Sequence, residues 1–180
     1  MTTTGRPDVF YEEMLDGYRE QIGALVEAGC DLLVIETMMA QPETMAALEA
    51  ARELSDLPVM CTFSVSSDGM LYFGGSVYEA APALEALGAD AVGVNCSAGP
   101  DQMETVIRSL RKTVDIPIIA KPNAGMPVIN EQGVAVYPMT PEEFGKSMVK
   151  LRQAGASILG GCCGTTPDHI AALRQSIIMD

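Results

Sequence analysis

The chain alternates between helical and strand-like patterns of hydrophobic residues. Near its start, Phe10, Met14, Tyr18, Ile22 and Leu25 recur at the spacing of one helix face, and the apolar run "LLVIET" follows. A short continuous apolar run is typical of a parallel-sheet strand that is buried on both faces. This first unit is therefore predicted to be a helix followed by a strand.

The same unit recurs along the rest of the chain. The predicted helices are "PETMAALEAARELS", "VYEAAPALEALG", "DQMETVIRSLRKTV" and "PEEFGKSMVKLRQAG"; the strands that follow them are "PVMCTFSV", "AVGVNC", "IPIIAKPN" and "SILGGCC"; a last helix starts at Pro167. Strict alternation predicts an α/β fold with parallel strands covered by helices. The count of five strands by itself favours an open sheet, because a closed (β/α)8 barrel has eight strands and about 250 residues.

Polar residues follow nearly every predicted strand at its carboxyl end. They are Glu36 and Thr37, Ser64, Asn95 and Cys96, Lys121 and Asn123, and Cys162 and Cys163. Ligand sites lie at this end of the strands in both open sheets and barrels. Because contributions from all five strands converge most naturally around a barrel axis, the pattern favours part of a barrel.

Charge and composition exclude several classes of protein. The net charge is −13 and the eleven Lys and Arg residues are scattered, so no surface is predicted to neutralise a nucleic-acid backbone. No stretch approaches the roughly 18 consecutive apolar residues of a membrane span, and "MTTTGRPDVF" lacks the features of a secretory signal. We therefore expect a cytoplasmic protein that binds neither nucleic acid nor membrane.

Five cysteines without a secretory signal argue against a disulfide framework. Cys162 and Cys163 lie in "GGCCGTTPDHI", where the flanking glycines allow the backbone to leave strand geometry, so that two adjacent thiolates can face one ion. Cys96, in "VNCSAGP", is the best third ligand of a zinc site with three protein ligands. Cys30 and Cys61 are predicted to pack in the core, and His169 to be structural.

Three ordered motifs resemble one family. "VNCSAGP", "KPNAG" followed by "VYPMTPEEF", and "GGCCGTTPDHI" are similar to those of the zinc-dependent homocysteine S-methyltransferase family, in particular the homocysteine-binding module of cobalamin-dependent methionine synthases. The resemblance covers nearly the whole chain. It implies that residues 1–180 form part of one homocysteine S-methyltransferase domain, equivalent to about five of the eight units of a TIM (β/α)8 barrel.

The resemblance also implies a reaction and a set of site residues. Cys96, Cys162 and Cys163 would hold zinc, Glu36 would bind the substrate amino group, and Asn123 would lie beside the amino-acid end of the substrate. The reaction would transfer a methyl group to homocysteine and give methionine. The implied donor is methylcobalamin carried by another domain or chain, whereas relatives use betaine or S-methylmethionine; the sequence does not decide between these donors or a folate.

The chain also departs from the family pattern. The first three strands of the family barrel and an early glycine-rich segment with a substrate-binding aspartate have no counterpart in these residues. A companion chain or domain would have to supply them. Two alternatives stay open: an open-sheet thiol redox or metal-binding module, and a zinc-binding fragment without catalysis.

Overall fold

A computed structural model describes residues 7–179 and contains helices and strands in strict succession. The elements are α1 (Pro7–Glu27), β1 (Leu33–Met38), α2 (Gln41–Leu54), β2 (Val59–Phe63), α3 (Val77–Ala86), β3 (Ala91–Asn95), α4 (Pro100–Leu110), β4 (Ile118–Lys121), β5 (Val128–Ile129), β6 (Ala135–Val136), α5 (Pro141–Gln153), β7 (Ile158–Leu159) and α6 (Pro167–Met179). The predicted alternation of helices and strands is confirmed.

The main sheet has five parallel strands in the order β1-β2-β3-β4-β7. Each strand lies beside the next main-sheet strand along the chain, without the reversal of order that defines the switch point of an open doubly wound sheet. Sequential parallel order is the winding of a (β/α)8 barrel. The structure therefore confirms the prediction of about five barrel units.

Close packing between the sheet and the helices fixes the strand ends. The central strands are mostly apolar, and Phe63, Ile118 and Ile119 are almost completely buried. Helices α5 and α6 approach closely at Gly145, where a Cβ would come within 2.8 Å of the backbone oxygen of Ala172. Tight packing of this kind leaves strand ends little freedom to move, so side chains at those ends are held in defined positions.

The segment between β4 and α5 is not irregular throughout. It contains a short antiparallel hairpin of β5 and β6, in which Val128 pairs with Val136. The Asn130 side chain accepts hydrogen bonds from the N–H groups of Gln132 and Val134 and closes the turn. The sequence missed the hairpin because each strand has only two residues, too few to show a period of two.

The outer strands of the sheet, β1 and β7, each border a groove. The groove beside β1 has a volume of about 390 Å³ and is lined by residues that include Leu25, Leu32 and Val34. The groove beside β7 has a volume of about 460 Å³ and is lined in part by Leu159 and Ile170. Among residues 7–179, no helix has both the length and the apolar character that crossing a bilayer requires.

Candidate metal centre

Three cysteines from two strand ends meet at one point. Cys96 follows β3, and Cys162 and Cys163 lie between β7 and α6. Their Sγ atoms all lie within 4.8 Å of one another, and the Sγ atoms of Cys96 and Cys163 are 3.5 Å apart. Each cysteine is only partly buried, so the cluster is open to a ligand from one side.

The cluster fits zinc. Zn–S bonds of about 2.3 Å in a tetrahedron place two sulfur ligands about 3.8 Å apart, which lies within the observed range of separations. Sulfur is a preferred zinc donor, and three is the number of protein ligands in a catalytic zinc site that keeps its fourth position for water or substrate. The donor type and the separations of the three sulfur atoms therefore both suit this ion.

At the end of β3, a strained backbone is held by a buried amide. Cys96 has a φ of 62° and Thr37 a φ of 61°, both in the left-handed region that costs non-glycine residues free energy. Asn95, which is fully buried, accepts from the Thr37 N–H at 3.1 Å and donates through Nδ2 to Thr37 Oγ1 at 2.7 Å. The same Nδ2 lies 3.8 Å from Cys162 Sγ. Asn95 thus connects both strained residues to the thiol cluster.

At the end of β7, hydrogen bonds to the turn after β4 hold the two adjacent cysteines. The Cys162 N–H donates to the Pro122 backbone oxygen at 2.9 Å. The Cys163 N–H donates to Asn123 Oδ1 at 3.0 Å, and the Cys163 oxygen accepts from the Ala124 N–H at 2.9 Å. Asn123 is almost completely buried. The turn after β4 is therefore the template on which Cys162 and Cys163 are positioned.

The glycines around the cysteine pair act differently from the sequence-based expectation. Of Gly160, Gly161 and Gly164, only Gly164 has a positive φ, 78°. Gly161 is needed for space, because a Cβ there would lie 2.5 Å from the side chain of Thr165. The backbone leaves strand geometry before the cysteines, because β7 ends at Leu159. Close approach of neighbouring atoms therefore explains most of these glycines, and left-handed backbone explains only Gly164.

Tyr137 covers the cysteine pair from the hairpin side. A Cβ at Gly164 would clash with Cβ and Cγ of Tyr137, so the tyrosine lies directly against the glycine backbone. The Tyr137 hydroxyl forms a hydrogen bond with Cys163, and this bond, more than burial, raises the pKa of Tyr137. The Met139 N–H, two residues further, donates to the Ala124 oxygen at 3.1 Å. This segment closes one side of the site.

The three thiols influence one another strongly. Burial, and then hydrogen bonds with the other two thiols, raise the pKa of Cys96. The hydrogen bond with Cys96 lowers the pKa of Cys163. Crowded thiols resist simultaneous ionisation among themselves, whereas a divalent cation stabilises the thiolate forms of all its ligands. The three thiols would therefore be ionised together only with a cation bound between them.

Glu36, predicted to bind a substrate amino group, lies at the end of β1 and pairs with Lys121 at the end of β4. The Lys121 Nζ donates to Glu36 Oε1. The Lys121 backbone oxygen accepts from the Cys96 N–H at 3.1 Å, which places the backbone of Lys121 beside that of Cys96. Strand ends therefore bring all five predicted site residues, Glu36, Cys96, Asn123, Cys162 and Cys163, to one edge of the sheet.

Three residues predicted to be structural have that role. Cys61 is completely buried in the core, where burial raises the pKa of its thiol to about 12, and Cys30 packs against the core. His169 is buried, its Nδ1 accepts from the Thr166 N–H at 3.2 Å, and its Nε2 lies 3.0 Å from the Met139 oxygen. These contacts assign the Nε2–H tautomer to a neutral imidazole that joins α6 to the segment before α5.

Sequence reasoning missed three contributors to the site: the clamping role of Asn95, the strained Thr37, and Tyr137. An asparagine in the apolar run "AVGVNC" was a usable signal, because a buried polar side chain needs hydrogen-bond partners. Thr37 was recognised as a polar residue at a strand end, but its strained backbone gave no signal, since threonine is an ordinary strand residue. Tyr137 lies in the motif "VYPMTPEEF", but its position against the cysteine pair gave no signal, since it is distant in sequence from the cysteines.

Fold and site together define a barrel-type α/β protein with a cluster of three cysteine thiols that could hold a metal ion, at the carboxyl ends of its strands. A sequence profile of homocysteine S-methyltransferases matches residues 2–177, and the chain belongs to this family. The chain is 34% identical over 173 residues to the methionine synthase of Mycobacterium leprae and 32% identical over 173 residues to that of Mycobacterium tuberculosis. Each alignment covers 93% of this chain.

A solved structure supports the same assignment. The apo form of the homocysteine methyltransferase MmuM from Escherichia coli superposes with a TM-score of 0.75 at 25% identity and covers 92% of this chain. The chain spans 57% of that protein and 14% of each mycobacterial methionine synthase. The similarity therefore extends over nearly all of this chain but over only part of each relative.

Proposed function

We propose that this chain binds one zinc ion through Cys96, Cys162 and Cys163 and takes part in methyl transfer to homocysteine, giving methionine. The new bond joins the homocysteine sulfur to the methyl carbon as the bond between that carbon and the donor breaks, and the thiol proton goes to solvent. Within this proposal, residues 1–180 are one part of a homocysteine S-methyltransferase domain. The supporting observation is that three thiols from two strand ends converge with zinc-like spacing in a member of this family.

Each site residue has a defined task in this proposal. Zinc, when bound, would supply a Lewis acid that keeps a thiol sulfur in the anionic, nucleophilic form at neutral pH. Asn95 and Asn123 fix the orientations of the three cysteines through the hydrogen bonds of their buried amides. Glu36 binds the substrate ammonium. Asn123 contacts the amino-acid end through Nδ2, since its Oδ1 already accepts the Cys163 N–H.

We further propose that the donor is methylcobalamin held by another domain or chain. Both mycobacterial relatives are methionine synthases about seven times as long as the matched region, since that region covers 14% of each. A companion domain or chain would also cover β1 and β7, whose apolar grooves resemble the contact surfaces of further barrel units. Free thiols at all five cysteines suit a reducing compartment, so we place the protein in the cytoplasm.

The test combines metal content with methyl transfer. We expect one zinc per wild-type chain and less than about a tenth of that after Cys96→Ala, Cys162→Ala or Cys163→Ala, because two thiolates hold zinc poorly. Cys30→Ala is the matched control and should keep its zinc, since Cys30 packs against the core. Methyl transfer is then measured as methionine formed from homocysteine and free methylcobalamin, with the companion segment of a relative added in trans. The variants that lose zinc should also lose methionine formation.

Two other outcomes of this test would each support a different function. Zinc-free protein in which oxidants join Cys96 to Cys163 would replace the proposal with a thiol redox module, which the 3.5 Å separation of these sulfur atoms would allow. A chain that holds zinc but yields no methionine with any donor tested, even with the companion segment present, would be a non-catalytic zinc-binding fragment.

A further inference from the structure

The ion pair between Glu36 and Lys121 crosses the inner side of the sheet. Glu36 belongs to β1 and Lys121 to β4, and β2 and β3 lie between these strands. Adjacent strands are about 4.8 Å apart, so a flat sheet would separate β1 and β4 by about 14 Å. Direct contact between the two side chains requires a curved sheet with both side chains on its concave face. Thr37 and Asn95 also meet across β2, which agrees with this curvature.

Lys121 is held at this position by its own strand end. The Cγ atom of Lys121 lies over Gly160, where a Cβ would approach to 3.2 Å. The lysine side chain is 20% exposed, whereas Glu36 is 45% exposed. A lysine with a packed stem and a fixed amino group differs from a solvated surface lysine, whose stem is free to move. Its ammonium group is therefore presented to the site rather than to bulk water.

The pair has the charges that an α-amino acid requires. An α-amino acid carries an ammonium and a carboxylate on the same carbon atom, so a receptor for it needs one anion and one cation side by side. We propose that Lys121 binds the α-carboxylate of the substrate while Glu36 binds the α-ammonium, and that their mutual ion pair opens as the substrate enters. This inference rests on the proposed function and makes Lys121 a specificity-determining residue.

The observed partner of Lys121 favours this role over simple charge balance for the thiolates. A lysine that compensates thiolate charge would direct Nζ towards sulfur, whereas here Nζ donates to the Glu36 carboxylate. Opening the ion pair should also cost little free energy, because a partly exposed ion pair contributes little stability. Contacts to a zwitterion can therefore replace it. The free protein thus keeps the two charges paired until a ligand with both charges replaces them.

The test measures ligand affinity rather than turnover. The zinc-loaded full chain, with the companion segment of a relative added in trans, is titrated with homocysteine and with 3-mercaptopropylamine, which keeps the thiol and ammonium but lacks the carboxylate. We expect wild-type protein to bind homocysteine at least tenfold more tightly than the amine, because a charge-assisted hydrogen bond is lost with the carboxylate. Lys121→Met should weaken homocysteine binding about tenfold and should not weaken binding of the amine, because Glu36 then has no competing partner, so that the discrimination disappears.

Matched controls separate this role from structural effects. Lys146→Met removes another ion-paired lysine, the exposed partner of Glu142 on α5, and should change neither affinity. The zinc content of Lys121→Met should equal that of wild type. If Lys121→Met weakens both ligands equally, or keeps the discrimination, the inference is wrong while the proposed function stands. If zinc-loaded wild-type protein binds neither thiol, both fall together.

Discussion

The two strand ends that carry the cysteines are held in place by different kinds of contact. At the end of β3, Cys96 and the nearby Thr37 adopt left-handed backbone without being glycine, and the buried Asn95 contacts both Thr37 and Cys162. At the end of β7, the one left-handed position is Gly164, and Cys162 and Cys163 are held by the turn after β4, through two backbone hydrogen bonds and the Asn123 side chain. The β3 end therefore depends on one side chain of its own strand, whereas the β7 end depends on a glycine and on contacts with a neighbouring turn.

The largest effect is expected from removing the side chain that holds the β3 end. Asn95→Ala leaves the Thr37 N–H without its acceptor and a cavity beside Cys162, and should lower the free energy of unfolding by about 2–4 kcal/mol. Zinc affinity should fall about a hundredfold, because outer-shell partners orient the ligands. Urea denaturation and competition with a chelator measure the two quantities.

Asn130→Ala is the matched control for this prediction. Asn130 also accepts two backbone N–H groups through Oδ1, but it lies in the hairpin turn, away from the cysteines. Its loss should cost less than about 1 kcal/mol and leave zinc affinity unchanged. Equal effects of the two substitutions would mean that Asn95 does not hold the strained strand end.

The contrast between the two ends also explains what the sequence could predict. The cysteines were placed together correctly because parallel strands bring their carboxyl ends to one edge, a rule that needs only the order of helices and strands. The strained φ of Thr37 and the pairing of Glu36 with Lys121 were not predictable in this way. Both depend on how far the sheet curves, which follows from the packing of all its strands and leaves no local pattern in the sequence.

The β7 end should be sensitive to steric bulk at its left-handed glycine. In Gly164→Ala, the alanine must adopt a left-handed backbone conformation, and its Cβ must displace Tyr137. Zinc affinity should therefore fall about thirtyfold. Gly133→Ala is matched in φ, at 75°, but its Cβ would meet no atom within 4 Å. It should cost about 1 kcal/mol of backbone strain without changing zinc affinity. Equal zinc affinities in the two variants would show that contact with Tyr137 is unimportant.

The smallest effect is expected from the Tyr137 hydroxyl. Tyr137→Phe keeps the ring against Gly164 but removes the hydrogen bond to Cys163, so zinc affinity should fall about tenfold while the unfolding midpoint without metal stays the same. Tyr72→Phe, at an exposed tyrosine, is the control and should alter neither value. If the zinc affinity of Tyr137→Phe equals that of wild type, then Tyr137 supports the β7 end by packing alone, and the Asn95 amide is the more important outer contact of the cluster.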